Sequence, residues 1–262
     1  MLVTNDDGIH AQGLATLARA LEALGEVWVV APDSERSASS HALTLRRLIQ
    51  VRWLDSRWAS VDGTPVDSVM LAVRKLLKER PSLVVSGINP GPNLGDDVNY
   101  SGTVGAAMEA TILGIPAIAV SLARRESTRF DPSADYAVLL AREVLAEGLP
   151  KGCMLNVNVP DLPPGEIRGT KVTRLARRTY QDMIREEPVG PGSTAFWIGD
   201  GRPISEDAED ADCTAIAQGW ITVTPLQLDV TDHAYLETLR GWLNAERGKG
   251  RPTGSPLLGT KD

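Results

Sequence analysis

Short apolar runs alternate along the chain with stretches whose apolar residues recur at helical spacing. Residues 2–4 form the first β-type run, and Leu14, Leu17, Ala18, Leu21 and Leu24 then mark one helical face over residues 13–24. Gly25 is placed to end that helix. Residues 27–31, Val-Trp-Val-Val-Ala, are continuously apolar, as a strand buried on both faces should be. Strand, helix and strand in the first thirty residues predict a βαβ unit with a right-handed crossover. Strand-like stretches at 48–54 and 58–61 predict a hairpin beside the main sheet. A helix is predicted over 66–77, with Pro65 in its first turn. Strands at 83–86 and 116–120 and helices at 104–113 and 133–147 continue the alternation.

From about residue 150 the pattern changes. Residues 155–159 and 171–175 nearly alternate polar and apolar, as strands with one exposed face do. Charge, glycine and proline dominate 179–211 apart from Ala195-Phe-Trp-Ile198, which predicts a projecting arm. A short helix at 211–218, a strand at 220–224 and a final helix at 232–244, capped by Thr231, complete the prediction. The expected architecture is α/β: a Rossmann-like, mostly parallel sheet with helices on both faces, plus a C-terminal β-rich arm and terminal helix. The expected division is a catalytic core over 1–150, strands, arm and final helix used in oligomerisation over 151–244, and a flexible tail over 245–262.

Composition narrows the function classes. The chain has 262 residues, 42% hydrophobic and 23% charged, ordinary values for a globular enzyme. A formal net charge of −7 argues against a nucleic-acid duplex as the main partner, but a metal can reverse the local sign at one site and admit a small anion. Cys153 and Cys213 have no metal-binding or framework spacing and are expected as buried free thiols. No apolar run approaches transmembrane length, and the chain opens on a strand, so no membrane contact and a cytoplasmic location are expected.

The candidate chemistry begins where the first strand ends, at Asn5-Asp6-Asp7-Gly8. In open α/β sheets ligands bind at the carboxyl ends of strands. Two adjacent carboxylates there repel unless a cation lies between them, and Mg²⁺ is typically held by one or two carboxylates. The same residues also suit an ordinary polar turn with Gly8 at positive φ. The strand at 83–86 runs into a polar loop over 87–103, and loops of this length inside a compact domain are usually functional. That loop ends in Ser101-Gly102-Thr103 before a strong helix, which fits either a phosphate site at a helix N-terminus or a simple hydroxyl cap.

Taken together, Asn5-Asp-Asp-Gly8, Ala31-Pro-Asp-x-x-Arg36-Ser37, Gly63-Thr-Pro65, Val85-Ser-Gly-Ile-Asn89, Gly91-Pro-Asn93 and Tyr100-Ser-Gly-Thr103 resemble the SurE family of stationary-phase survival proteins. The resemblance continues through Asn156-Val-Asn-Val-Pro160, Thr222-Val-Thr-Pro-Leu226 and residues 229–233. It implies a Rossmann-like domain holding one divalent ion, Mg²⁺ or Mn²⁺, per subunit through Asp6, Asp7, Ser37 and Asn89. It implies phosphate binding by Asn93, Ser101, Gly102 and Thr103, and catalysis through Asp6 and Asp7. The implied activity is hydrolysis of nucleoside 5′- and 3′-monophosphates, with short polyphosphate as a further substrate. The implied assembly is a homodimer or homotetramer that exchanges C-terminal arms.

The residues agree with the resemblance on chemical grounds. Two carboxylates with neutral hydroxyl and amide oxygens suit Mg²⁺ or Mn²⁺ and leave room for water and phosphate. His10 and His41 lie in the two relevant loops and are candidates to assist as acids. Three other readings compete. An aspartyl-phosphate phosphatase places its aspartates one residue apart, whereas here they are adjacent. A phosphorylatable receiver needs a further Asp and a Lys at later strand ends, where this chain has Ser86 and Ser121. A metal-dependent nucleotide-binding sensor would use the same cradle without turnover.

Overall fold

The protein is described by a computed structural model over residues 1–190, 192–199 and 201–248. Its centre is a nine-stranded sheet. In chain order the strands of that sheet are β1 (Leu2–Thr4), β2 (Trp28–Pro32), β3 (Val51–Trp53), β4 (Trp58–Val61), β5 (Val84–Pro90), β6 (Ala117–Leu122), β7 (Cys153–Val159), β8 (Thr170–Val172) and β13 (Ile221–Gln227). Across the sheet they run β3-β4-β2-β1-β5-β6-β7-β13-β8. From β4 to β7 every pairing is parallel, while β3 on β4 and β13 on β7 are antiparallel. The 48–61 hairpin therefore stands within the main sheet, because β4 pairs in parallel with β2.

Alternation along each strand sends neighbouring side chains to opposite faces. Val3, Val85 and Val120 pack on one side with Leu14, Leu17 and Leu21 of α1 (Gln12–Leu21) and Ala134, Ala137 and Ala141 of α4 (Asp131–Glu147). Leu2, Val84 and Ala119 pack on the other with Val69 of α2 (Pro65–Leu71) and Val104, Ala107 and Ala110 of α3 (Gly102–Ile112). Thr64 caps α2 reciprocally: its hydroxyl accepts from the Asp67 N–H, and the Asp67 carboxylate accepts from the Thr64 N–H. The first helix ends earlier than its apolar face, and residues 22–24 tighten into a 3₁₀ turn.

The chain beyond α4 continues the same sheet through β7, β13 and β8, and the compact body runs from Met1 to Leu228. Within it the charged stretch folds into two antiparallel ribbons, β10 (Ile184–Pro188) with β11 (Thr194–Ile198), and β9 (Arg178–Gln181) with β12 (Arg202–Ser205). The short helix α5 (Asp212–Ala217) precedes β13. Cys213 is buried, but Cys153 is partly exposed at the start of β7. Residues from Asp229 onward form a second unit carrying α6 (Leu236–Gly248). This helix starts later than the apolar pattern predicts, because the Asp232 carboxylate accepts the Tyr235 N–H and holds a turn there. It also runs four residues past Asn244, and 249–262 of the expected tail lie outside the described residues.

Candidate active site

Strand order places the candidate residues together. Chain order reverses about β1, which has β2 on one side and β5 on the other, and such switch points open a crevice at the carboxyl ends. Asp6 and Asp7 follow β1, Ser37 follows β2 and Asn89 lies at the end of β5. A cavity of about 490 Å³ occupies this crevice, and its lining includes Asp6, Asp7, Ser37, Asn89, Asn93 and Ser101.

Local bonding shapes the acidic turn. The Asn5 amide donates to the Gly8 carbonyl at 3.1 Å, and the Gly8 N–H donates to the Asn5 side chain at 3.2 Å. Gly8 has φ of 100°, and a Cβ there would meet the Ser34 backbone at 3.1 Å, so the turn requires glycine. The Asp6 carbonyl accepts the Arg36 N–H at 2.7 Å, which ties the turn to the loop that carries Ser37.

The two carboxylates differ in surroundings. Asp6 is buried and accepts the Thr103 hydroxyl at 2.5 Å. Burial pushes its pKa up, and the hydroxyl and backbone N–H of Thr103 partly oppose that rise. Asp7 is pushed up to about 7 by burial first, then by the neighbouring Asp6 and Glu35 carboxylates. Its Oδ2 is buried with no hydrogen-bond partner among the described residues. Ser37 donates its hydroxyl to Glu35 at 2.6 Å, and Asn89 donates its amide N–H to the Gly91 carbonyl at 2.7 Å. Both keep oxygen lone pairs available to a ligand.

This donor set fits a hard divalent ion. An unpartnered buried carboxylate oxygen beside a second carboxylate is costly without a cation, and neutral oxygens complete the type of shell Mg²⁺ or Mn²⁺ takes. Among the described residues no group of three or more His, Cys, Asp or Glu side chains is placed to hold a metal, so an ion here would rest on the two carboxylates together with neutral oxygens.

The predicted phosphate residues divide. Asn93 is buried, with its backbone N–H donating to Asn158 and its carbonyl accepting from Asn156 and Asn158. Its side-chain amide donates to the Ser121 hydroxyl at 2.8 Å. The Ser101 hydroxyl caps α3 by accepting the Val104 N–H. Gly102 and Thr103 are not among the lining residues. A Cβ at Gly102 would meet Ser39 Oγ at 2.6 Å and the Asp6 side chain at 2.8 Å, and Thr103 turns its hydroxyl to Asp6. The start of α3 therefore braces a carboxylate.

The histidines lie outside the cavity lining. His10 is exposed, and His41 pairs with the buried Glu109 of α3 at 3.0 Å. That pair fastens the 37–41 loop to α3, which is a structural duty. Sequence reading missed Glu109, and it missed the outer lining residues Asp97, Arg125 and Tyr180. Asp97 stood in the long polar loop. Nothing local marks Arg125 or Tyr180, because the fold alone brings Arg125 to Gly91 and Tyr180 to Asp97.

Comparison with known proteins bears on this geometry. The family model described as survival protein SurE matches residues 1–182. The chain is 50% identical over 260 residues to the 5′-nucleotidase SurE of Geobacter sulfurreducens, covering 98% of this chain and 99% of that protein. It is also 50% identical to the 5′-nucleotidase SurE of Pelobacter propionicus, covering 93% and 99% respectively. The crystal structure of the SurE protein from Aquifex aeolicus superposes with a TM-score of 0.82 at 40% identity, covering 92% of this chain and 98% of that one.

Proposed function

The chain belongs to the SurE family, and from that membership and the crevice at β1 we propose that it is a divalent-metal-dependent phosphomonoesterase acting on nucleoside monophosphates. The observation that carries the reading is the buried Oδ2 of Asp7, unpartnered among the described residues, in a cavity that Asp6, Ser37 and Asn89 also line. The names of the 5′-nucleotidase relatives support the substrate class. We extend the proposal to 3′-monophosphates and short polyphosphate, because a cavity of about 490 Å³ has room for more than one phosphoryl group.

Asp6, Asp7, Ser37 and Asn89 would hold the ion, Mg²⁺ or Mn²⁺. Once bound, it neutralises phosphoryl oxygens and acidifies water. The protein's own contribution is positioning, which dominates phosphoryl transfer. Thr103 locks the Asp6 carboxylate in one orientation. Asn93 is held through its backbone by Asn156 and Asn158, so its side chain stands at a fixed place on the cavity wall. Asp7, with its buried Oδ2 unpartnered among the described residues, would add its charge to that of Asp6 at the ion. Water is the nucleophile in this proposal, since both carboxylates are committed to the ion.

Release of inorganic phosphate from AMP, measured with Mn²⁺ and again with excess chelator, tests the reading. Metal-dependent release is expected. Nucleotide binding without any phosphate release would replace the enzyme with a sensor.

A further inference from the structure

The cavity is larger than a phosphoryl group needs and lies in the range of small-molecule sites, roughly 300–1,000 Å³. Its outer lining has a composition unlike its floor. Tyr100, Tyr180 and Arg125 stand there, and Arg125 is the one cation among the described lining residues. The Arg125 stem lies on the backbone of Gly91, where a Cβ would meet its Cγ at 3.0 Å. Its guanidinium has no hydrogen-bond or salt-bridge partner among the described residues, while its charge acts on the nearby Tyr180 phenol. Tyr180 is itself fixed. Its hydroxyl donates to Asp97 at 2.5 Å, Asp97 pairs with Arg178 at 3.3 Å, and the Arg178 guanidinium lies 5.6 Å from the Tyr180 ring centre.

A held phenol, an exposed phenol and a free planar cation together match a flat, polarisable group. Arginine guanidinium stacks on aromatic planes, and nucleobases stack on tyrosine and arginine alike. A site for a second phosphate would gather several cations, but here Arg178 is already spent on Asp97 and the floor is acidic. Resting on the phosphomonoesterase reading, we infer that Arg125, Tyr180 and Tyr100 form the subsite for the base of the leaving nucleoside, with Arg125 as its specificity-determining residue.

The test compares kcat/KM for AMP with that for ribose 5-phosphate, which has the same phosphoryl ester and no base, at saturating Mn²⁺. Base stacking on a protein side chain corresponds to roughly a tenfold effect or more on alanine substitution. Arg125→Ala should therefore raise KM for AMP about tenfold and lower the AMP to ribose 5-phosphate ratio by that factor. Arg125→Lys should fail to restore the ratio, because a point charge lacks the guanidinium plane. Tyr180→Phe keeps the ring but loses its tie to Asp97, so it should lower the ratio less than Tyr180→Ala does. An unmoved ratio in Arg125→Ala overturns the subsite alone, as does full restoration by lysine, which would indicate an anion site. A wild-type protein that hydrolyses neither ester overturns the phosphomonoesterase reading and the subsite with it.

Discussion

Asp7 sets the chemistry at the level of a single residue. Its carboxyl shares a turn with Asp6, sits beside Glu35 and leaves one buried oxygen unpartnered. Asp7→Asn removes the charge with almost no change of volume. It should reduce Mn²⁺-dependent phosphate release from AMP at least a hundredfold, a typical scale for losing a charge-stabilising group. Near-normal turnover at modest metal concentration would remove Asp7 from the site. The raised pKa also makes a statement about stability. A folded-state value of about 7, against the ordinary 3.8, means that the metal-free fold favours the protonated acid. That contribution is whole below about pH 4 and is lost as pH rises through about 7. In chelator, the Tm of the wild type should therefore fall relative to Asp7→Asn between these limits. Saturating Mn²⁺ should reverse the order at pH 8, where the carboxylate is ionised and can bind. A Tm difference independent of pH would contradict the burial assigned to this group.

Among elements, the loop between β5 and α3 depends on a distant carboxylate. Asp212 is fully buried at the start of α5 and accepts three backbone N–H groups, from Gly95 at 2.9 Å, Ala176 at 3.0 Å and Cys213 at 2.8 Å. It joins the loop that bears Asn93 and Ser101 to the segment leading into β9. Asp212→Ala leaves three donors unpaired and should cost about 3 kcal/mol or more. For a body of this size that is a fall of roughly 6–12 °C in Tm. Asp212→Asn keeps an acceptor and should cost clearly less, and equal losses in a thermal melt would refute the bridging role. The contrast between Asp212 and Asp7 also shows what the sequence can disclose. Asp6, Asp7, Ser37 and Asn89 were legible because each stands where an apolar strand ends, and strand ends meet at one edge of a parallel sheet. Asp212 was not, since its three partners are up to 117 residues away and no local pattern marks them. Thr103 was legible as a helix-start hydroxyl, but only packing could turn it toward Asp6 and away from the cavity. The length of β5 was underestimated because pairing with Ser121 and Leu122 of β6 carries the strand through Asn89 and Pro90.

At the scale of the molecule, an apolar surface stays open among the described residues. In the β10–β11 ribbon, Ile184 pairs with Ile198 and Glu186 with Phe196, and paired residues share a face. Ile184, Ile198 and Phe196 are 63%, 66% and 60% exposed, so three large apolar side chains cluster on one side of a two-stranded ribbon. An isolated ribbon of that kind is marginal in water and gains stability when its apolar face is covered. We propose that a second copy of the chain covers it, in a symmetric dimer or a tetramer built from such dimers, since exchange or apposition of identical elements is a low-cost route to closed assemblies. Light scattering on the full chain at micromolar concentration should then give at least twice the 28.1 kDa chain mass. Phe196→Glu with Ile198→Glu should shift the population toward monomer, because each added carboxylate would have to be desolvated at the interface. The core strands lie outside this ribbon, so the variant's far-ultraviolet spectrum should stay close to that of the wild type. A wild-type chain that runs as a compact monomer under these conditions would show that the ribbon faces water.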